Sequence, residues 1–320
     1  EGKSPKELDK YLQIYLKESE EILVRGNKFD GYEDILQLYF DVNKFVSTMQ
    51  LYDENYMTCI EKDTQELKLT LYCVNPAKNL KEYLSKCYSV IFFSATISPI
   101  KYYISMLGGH DETYRLKLPS PFRKENLKVS VSPINIRYTH RERTLKLVKN
   151  KIIDFISESV GNYIVFSPSY AYMELLWNEM NECGIKEFQL IKQKQNMSEE
   201  EKSDFLKNFK RNSNLLMFCV LGGMFSEGID LPGEQLIGSI IVGVGYPMIA
   251  MKNEIIKDFY GENGYDYAYV FPGINKVQQA VGRVIRTETD TGRVLLIDDR
   301  YVTSKYKILL PSEWSPINKY

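Results

Sequence analysis

The chain has little of what marks several large functional classes. Its 320 residues hold no run of 18 or more apolar residues, so no transmembrane span is expected. The opening Glu-Gly-Lys-Ser-Pro lacks the apolar stretch of a secretory signal. Histidine occurs only as His110 and His140, far apart in sequence, which makes a His-based metal site unexpected. The five cysteines (Cys59, Cys73, Cys87, Cys183 and Cys219) never form a Cys-x-x-Cys pair, which argues against a zinc site or a local iron–sulfur ligand set. Their odd number and apolar neighbours suit a reducing cytoplasm, and all five are expected to be small buried hydrophobes. The net charge of −1 gives no overall attraction to a polyanion, so any nucleic-acid contact has to rest on local patches. No Gly-x-x-x-x-Gly-Lys-[Ser/Thr] phosphate loop is present. Gly2-Lys3-Ser4 is only a trace of one, without the preceding glycine and strand and with Pro5 directly after it. An Asp-Glu-x-His box for magnesium is also missing.

What is present is the composition and patterning of a large α/β protein, with 44% hydrophobic and 26% charged residues. Residues 5–25 and 32–53 repeat their apolar positions at helical spacing, and Asp30-Gly31 between them signals a turn, so a tyrosine-rich helical hairpin is expected. Alternation over Leu67–Cys73 predicts a strand, and a short helix is expected over Ala77–Lys86. Ser89-Val-Ile-Phe-Phe-Ser94 has the continuous apolar character of a buried parallel strand. From about residue 125 strands and helices alternate. The expected strands are Leu127–Val131, Tyr163–Ser167, Glu187–Ile191, Leu215–Val220, Ile237–Val244, Tyr267–Phe271 and Val294–Ile297. The expected helices are Thr144–Ser157, Tyr170–Glu182, Ser198–Arg211, Lys252–Tyr260 and Lys276–Val284, with a capping box from Ser198 to Glu201. Such alternation implies a parallel sheet covered by helices on both faces, with ligands outside the carboxyl ends of its strands, where the motifs are expected to fall.

Four motifs carry chemistry. Ser94-Ala95-Thr96, followed by Ile97-Ser98-Pro99, puts small hydroxyls at a strand end. Ser167-Pro168-Ser169-Tyr170 places hydroxyls just before a helix whose free N–H groups suit a phosphate, although Ser169 reads equally well as an ordinary N-cap. Gly222 to Gly233 holds four glycines in 12 residues, with Ser226-Glu227-Gly228-Ile229-Asp230 inside, which lets backbone approach a ligand closely. In Gln279-Ala-Val-Gly282-Arg283-Val-Ile-Arg286, two arginines three residues apart would share one helix face, and paired guanidinium forks match phosphate oxygens.

Together these resemble motifs III, IV, V and VI of superfamily 2 helicases, most closely the XPD/DinG family and its bacterial DinG-like members. Ser-Ala-Thr-x-Ser-Pro, Ser-Glu-Gly-Ile-Asp and Gln-x-x-Gly-Arg-x-Ile-Arg recur there in this order, and Ser120-Pro121-Phe122 matches a further family segment. The resemblance covers roughly residues 68–310. It implies a RecA-like fold and a C-terminal part of such a helicase: residues 1–62 a helical remnant of the arch insertion, 63–112 the end of motor domain 1 with motif III, and 113–320 the RecA-like motor domain 2. The phosphate loop and magnesium box of the family lie upstream, in the first motor domain, as does the four-cysteine iron–sulfur domain that some members carry.

The resemblance further implies ATP and Mg2+ held mainly by that upstream domain, a single-stranded or forked DNA track, and 5′→3′ movement in a cytoplasmic DNA-repair setting with no membrane partner. Arg286 would be the arginine finger, with Arg283 and Gln279 beside the γ-phosphate and Gly282 in the same turn. Glu227, Gly228 and Asp230 would line the nucleotide side of motif V. Ser167, Ser169, Tyr170, Ser94 and Thr96 would serve the nucleic-acid track, and no metal ligand is expected among these residues. Arg137, Arg141, Arg143, Lys146, Lys149 and Lys151 form a basic stretch that fits either nucleic acid or a solvated helix face, and Trp177 is expected in the core. The rival readings are a non-catalytic nucleic-acid-binding module and a protein-interaction scaffold. Neither would need Gln279, Arg283, Arg286 and Asp230 together. These residues alone are expected to be inactive as an ATPase.

Overall fold

The computed structural model describes residues 2–25, 29–63, 66–210, 213–225, 231 and 233–320. They form two compact units, Glu1–Phe93 with Ile100–Tyr114, and Ser94–Pro99 with Arg115–Tyr320.

In the first unit, helices α1 (Lys6–Val24) and α2 (Tyr32–Gln50) pack as the expected hairpin, with Gly31 taking a positive φ of 88° at the turn. A strand not foreseen, β1 (Tyr56–Lys62), pairs antiparallel with β2 (Leu67–Cys73), so this pair crosses the boundary expected at residue 62. Helices α3 (Ala77–Leu84) and α4 (Ile100–Met106) complete the unit. Ser89–Phe93 corrects an expectation. It belongs to no strand and is exposed, with Ile91 at 82% and Phe93 at 89%. A parallel strand needs neighbours running the same way, and the sheet of this unit among the described residues is the antiparallel β1–β2 pair.

The second unit is the alternating α/β domain. Its elements are β3 (Leu127–Ser132), α5 (Arg141–Ser157), β4 (Tyr163–Ser167), α6 (Tyr170–Cys183), β5 (Gln189–Lys192), α7 (Glu199–Leu206), β6 (Leu215–Val220), β7 (Gly238–Val242), α8 (Met251–Phe259), α9 (Phe271–Val281), β8 (Gly292–Ile297), α10 (Ser304–Leu309) and β9 (Asn318–Lys319). Seven strands run parallel in the order β5-β6-β4-β7-β8-β3-β9. Alternate side chains of each strand feed two cores. Ile164, Phe166, Met217, Ile241 and Leu296 meet Val277, Ala280 and Val281 of α9 on one face. Tyr163, Val165, Phe218, Ile240 and Leu295 meet Val148, Ile152, Met173 and Leu176 of α5 and α6 on the other. Burial on both faces is why these strands read as continuous apolar runs. Trp177 packs against the second core, edge-on to Phe218.

Two further expectations change. Tyr267–Phe271 is helical, a π-type turn over Asp266–Val270 that runs into α9. A short apolar run does not distinguish strand from buried helix, and Pro272 in the first turn of α9 suits a helix start. Cysteine burial is also mixed: Cys59 and Cys219 are buried, Cys73 is half-buried, and Cys87 and Cys183 are exposed.

Candidate functional site

The arginine motif begins on α9 and ends beyond it. Val277, Ala280, Val281 and Val284 anchor this segment in the core, while Gln279 is half-buried. The helix stops at Val281, with Gly282 as its C-cap, earlier than the expected end at Val284. Arg283 lies in the following turn, half-buried, its N–H donating to the Ala280 carbonyl at 3.3 Å. Arg286 is exposed in the connection to β8. The two arginines therefore do not share a helix face. A loop presents them, and a carboxylate outside the expected set organises that loop.

That carboxylate is Asp290, only 6% exposed among neighbours that are open to solvent. Its Oδ2 accepts the N–H groups of Arg286 (2.7 Å) and Thr287 (2.8 Å), and its Oδ1 accepts the Thr287 hydroxyl (2.5 Å). Burial by itself raises the Asp290 pKa, but bonds from the Thr287 hydroxyl and the Arg286, Thr287 and Gly233 N–H groups outweigh it and hold the carboxyl below its ordinary value. Gly233, with φ at +62°, closes the glycine loop that starts at Gly222, so the exit of that loop and the arginine loop meet on one carboxylate. Thr287-Glu-Thr-Asp290 is visible in the sequence as a polar turn, but nothing there tells a solvated turn from a buried anchor.

Chain direction separates the motifs. Arg286 and Asp290 precede β8, and Asn126, just before β3, donates from Nδ2 to the Glu288 carbonyl at 3.0 Å. The arginine loop therefore lies at the amino ends of β3 and β8, not at the carboxyl ends where all the motifs were expected. Ser167, Ser169, Tyr170 and the start of the glycine loop do lie at the carboxyl ends. There the Leu221 N–H donates to the Ser167 carbonyl at 2.9 Å.

At that end Ser167 is fully buried, and its Oγ has no hydrogen-bond partner among the described residues. Ser169 acts as the N-cap of α6, its Oγ accepting the Tyr172 N–H at 3.2 Å. The Tyr170 hydroxyl accepts from Gln193 Nε2 at 2.7 Å, while Gln193 Oε1 accepts the Val220 N–H at 3.1 Å. Gln193, 2% exposed, thus links the segment after β4 to the end of β6, a role with no signal in the sequence. Lys276 of α9 lies across Gly222: a β-carbon there, at φ +77°, would come within 2.7 Å of its Cδ. Burial pulls the Lys276 pKa below the usual lysine value. α9 itself is seated by backbone contact, since a β-carbon on Gly245 would stand 2.6 Å from the Gly273 carbonyl oxygen.

Ser94 is exposed and Thr96 half-buried in a local turn, the Thr96 N–H donating to Ser94 Oγ at 3.2 Å. Glu227, Gly228 and Asp230 lie outside the described residues. The basic stretch is partly neutralised by carboxylates: Arg137 pairs with both oxygens of Asp299, Lys149 with Glu179 and Lys151 with Asp154. Arg141 is half-buried between the rings of Tyr138 and Tyr172. Among the described residues no group of three or more His, Cys, Asp or Glu side chains could hold a metal ion, and no helix is long and apolar enough to cross a membrane. The Gln279–Arg286 segment, with cationic donors and no carboxylate of its own, fits an anionic ligand and not the ligand set of a divalent cation.

The family profile described as "Helicase C-terminal domain" matches residues 152–317. "ATP-dependent DNA helicase DinG" of Photobacterium profundum is 30% identical over 242 residues, which cover 71% of this chain and 34% of that protein. "ATP-dependent DNA helicase chl-1" of Caenorhabditis elegans is 26% identical over 284 residues, 82% of this chain and 34% of that protein. The chain spans about a third (34%) of the length of these curated relatives. A solved structure titled "XPD_Helicase" shares the fold, with a TM-score of 0.64 at 18% identity over 98% of this chain and 64% of that one.

Proposed function

The chain belongs to the helicase C-terminal domain family, and from that premise we propose that it is the arginine-bearing half of an ATP-dependent DNA helicase motor. In this reading residues 113–320 are motor domain 2, residues 63–112 complete motor domain 1, and residues 1–62 are the end of the arch. ATP is bound between the two motor domains as substrate. The upstream domain supplies the phosphate loop and the carboxylates for Mg2+, which would neutralise charge on the phosphates. Arg286 reaches the γ-phosphate as the arginine finger and stabilises the charge that develops during transfer. Arg283 and Gln279 support it from the turn and the helix before it, and Gly282 lets that turn form. Glu227, Gly228 and Asp230 line the nucleotide side of the glycine loop.

Single-stranded DNA follows the opposite end of the sheet. Ser169, Tyr170 and the free N–H groups of α6 contact the backbone there, with Ser167 beneath them, and Ser94 and Thr96 relay closure of the motor. Movement is 5′→3′, on single-stranded or forked DNA, in a cytoplasmic repair role. An iron–sulfur cluster, where a member has one, belongs to the upstream part.

The observation that carries this reading is the exposed Arg286 on a loop whose backbone bonds Asp290, an arrangement that suits an anion reaching the surface of the domain. The exposed apolar run Ser89–Phe93 supports it independently, since it has the sequence of a parallel strand while the sheet of its own unit, among the described residues, is the antiparallel β1–β2 pair. In the intact protein, Arg286→Ala should abolish ATP turnover while leaving ATP affinity nearly unchanged. Turnover remaining within about tenfold, a barrier change of about 1.4 kcal/mol, would contradict the finger assignment.

A further inference from the structure

The loop between β6 and β7 has to travel from the carboxyl end of the sheet to its amino end, because both strands run parallel to β4. It leaves near Gln193 and Lys276, where Gly222 lies against the half-buried Lys276 side chain and Gly223 near the buried Gln193 amide. It returns at Gly233, whose N–H faces the Asp290 carboxylate. Asp290 also binds the two successive N–H groups of Arg286 and Thr287, and the Thr287 hydroxyl. Gly233 takes a positive φ, and Arg286 to Thr289 are exposed, with Glu288 also held through its carbonyl by the Asn126 amide. One nearly buried carboxylate thus bonds the backbone of the proposed finger and the exit of the glycine loop at once.

We propose that Asp290 is a positioning residue for ATP hydrolysis: it sets the backbone from which Arg286 extends and joins that backbone to the loop arriving from the nucleic-acid end. The proposal rests on the reading of Arg286 given above. A buried carboxylate suits this task because both its oxygens accept several bonds and its charge strengthens each of them. An amide in its place can keep one oxygen for the Arg286 and Thr287 N–H groups, but it loses the charge that strengthens those bonds and turns an NH2 toward the Thr287 hydroxyl and the Gly233 N–H. The Arg286–Thr287 backbone would be held more loosely, and a small displacement of a charged group costs far more in the transition state than in ground-state binding.

The test uses the intact protein with Asp290→Asn, Thr287→Ala and Arg286→Ala, measuring kcat and KM for ATP with saturating single-stranded DNA. Amide hydrogen exchange is followed at Arg286 and Thr287 and along β8. Asp290→Asn is expected to lower kcat about tenfold or more with KM nearly unchanged. Exchange at Arg286 and Thr287 should accelerate while β8 stays protected. Thr287→Ala, which removes one donor and leaves the carboxylate, should shift both readouts the same way by less, and stands in should Asp290→Asn fail to fold. Full turnover in Asp290→Asn beside a dead Arg286→Ala overturns the positioning role and leaves the finger in place. Loss of protection throughout β8 overturns it too, since the carboxylate would then hold the fold rather than the finger. Full turnover in Arg286→Ala defeats the underlying reading instead.

Discussion

Asp298 and Arg300 show how much a single ion pair contributes in this fold. Asp298 is fully buried at the end of β8, and its two oxygens accept from Arg300 Nε (2.8 Å) and NH2 (2.6 Å). The guanidinium also stacks on Tyr246, 4.8 Å from the ring centre. Burial pushes the Asp298 carboxyl up in spite of these bonds, so the arginine is what keeps a charge tolerable there. Arg300→Ala leaves that carboxylate without its counterion and should cost about 3–5 kcal/mol, read as a lower urea midpoint at unchanged slope. Asp290 has the opposite shift. Because its folded pKa is depressed, its stabilisation is present above the ordinary carboxylate range and is lost as the pH falls through the depressed value. The stability gap between wild type and Asp290→Asn should therefore be full at neutral pH and shrink below about pH 4, as checked by urea unfolding across that range. Single residues were only partly legible. The Ser198–Glu201 capping box and the Ser169 cap were readable because caps are local chemistry. Asp290, Gln193 and Lys276 were not, because their partners come from segments distant in sequence or from backbone groups that sequence does not reveal.

At the scale of elements, strands buried on both faces were the most legible. β3, β4, β6 and β8 lie where their apolar runs placed them. The errors have physical causes. Tyr267–Phe271 packs its aromatic side chains as a helix, since burial on several sides removes the amphipathic signal. α9 ends at Gly282, so the arginines rely on a turn that helical spacing did not describe. Ser89–Phe93 carries the sequence of a strand but pairs with no strand among the described residues. That gives a paired prediction. In these 320 residues alone, Ile91→Asp should change stability by no more than about 0.5 kcal/mol, because the side chain is already in water. In the intact protein the same substitution should lower the thermal midpoint by several degrees, because it would place a charge inside the sheet of motor domain 1. An equal, negligible effect in both would remove that segment from any upstream sheet.

Across the whole molecule, the two proposed sites occupy opposite ends of one parallel sheet, with the β6–β7 loop running between them. The sequence named both sites by their motifs but put them at one end, because motif order along a chain does not say which end of a strand a loop occupies. The most direct test of the account is ATP turnover, with and without single-stranded DNA, by the intact protein and by these 320 residues side by side. The account predicts DNA-stimulated hydrolysis in the intact protein and none above background in the chain alone. Robust hydrolysis by the chain alone, or none by either, would contradict it.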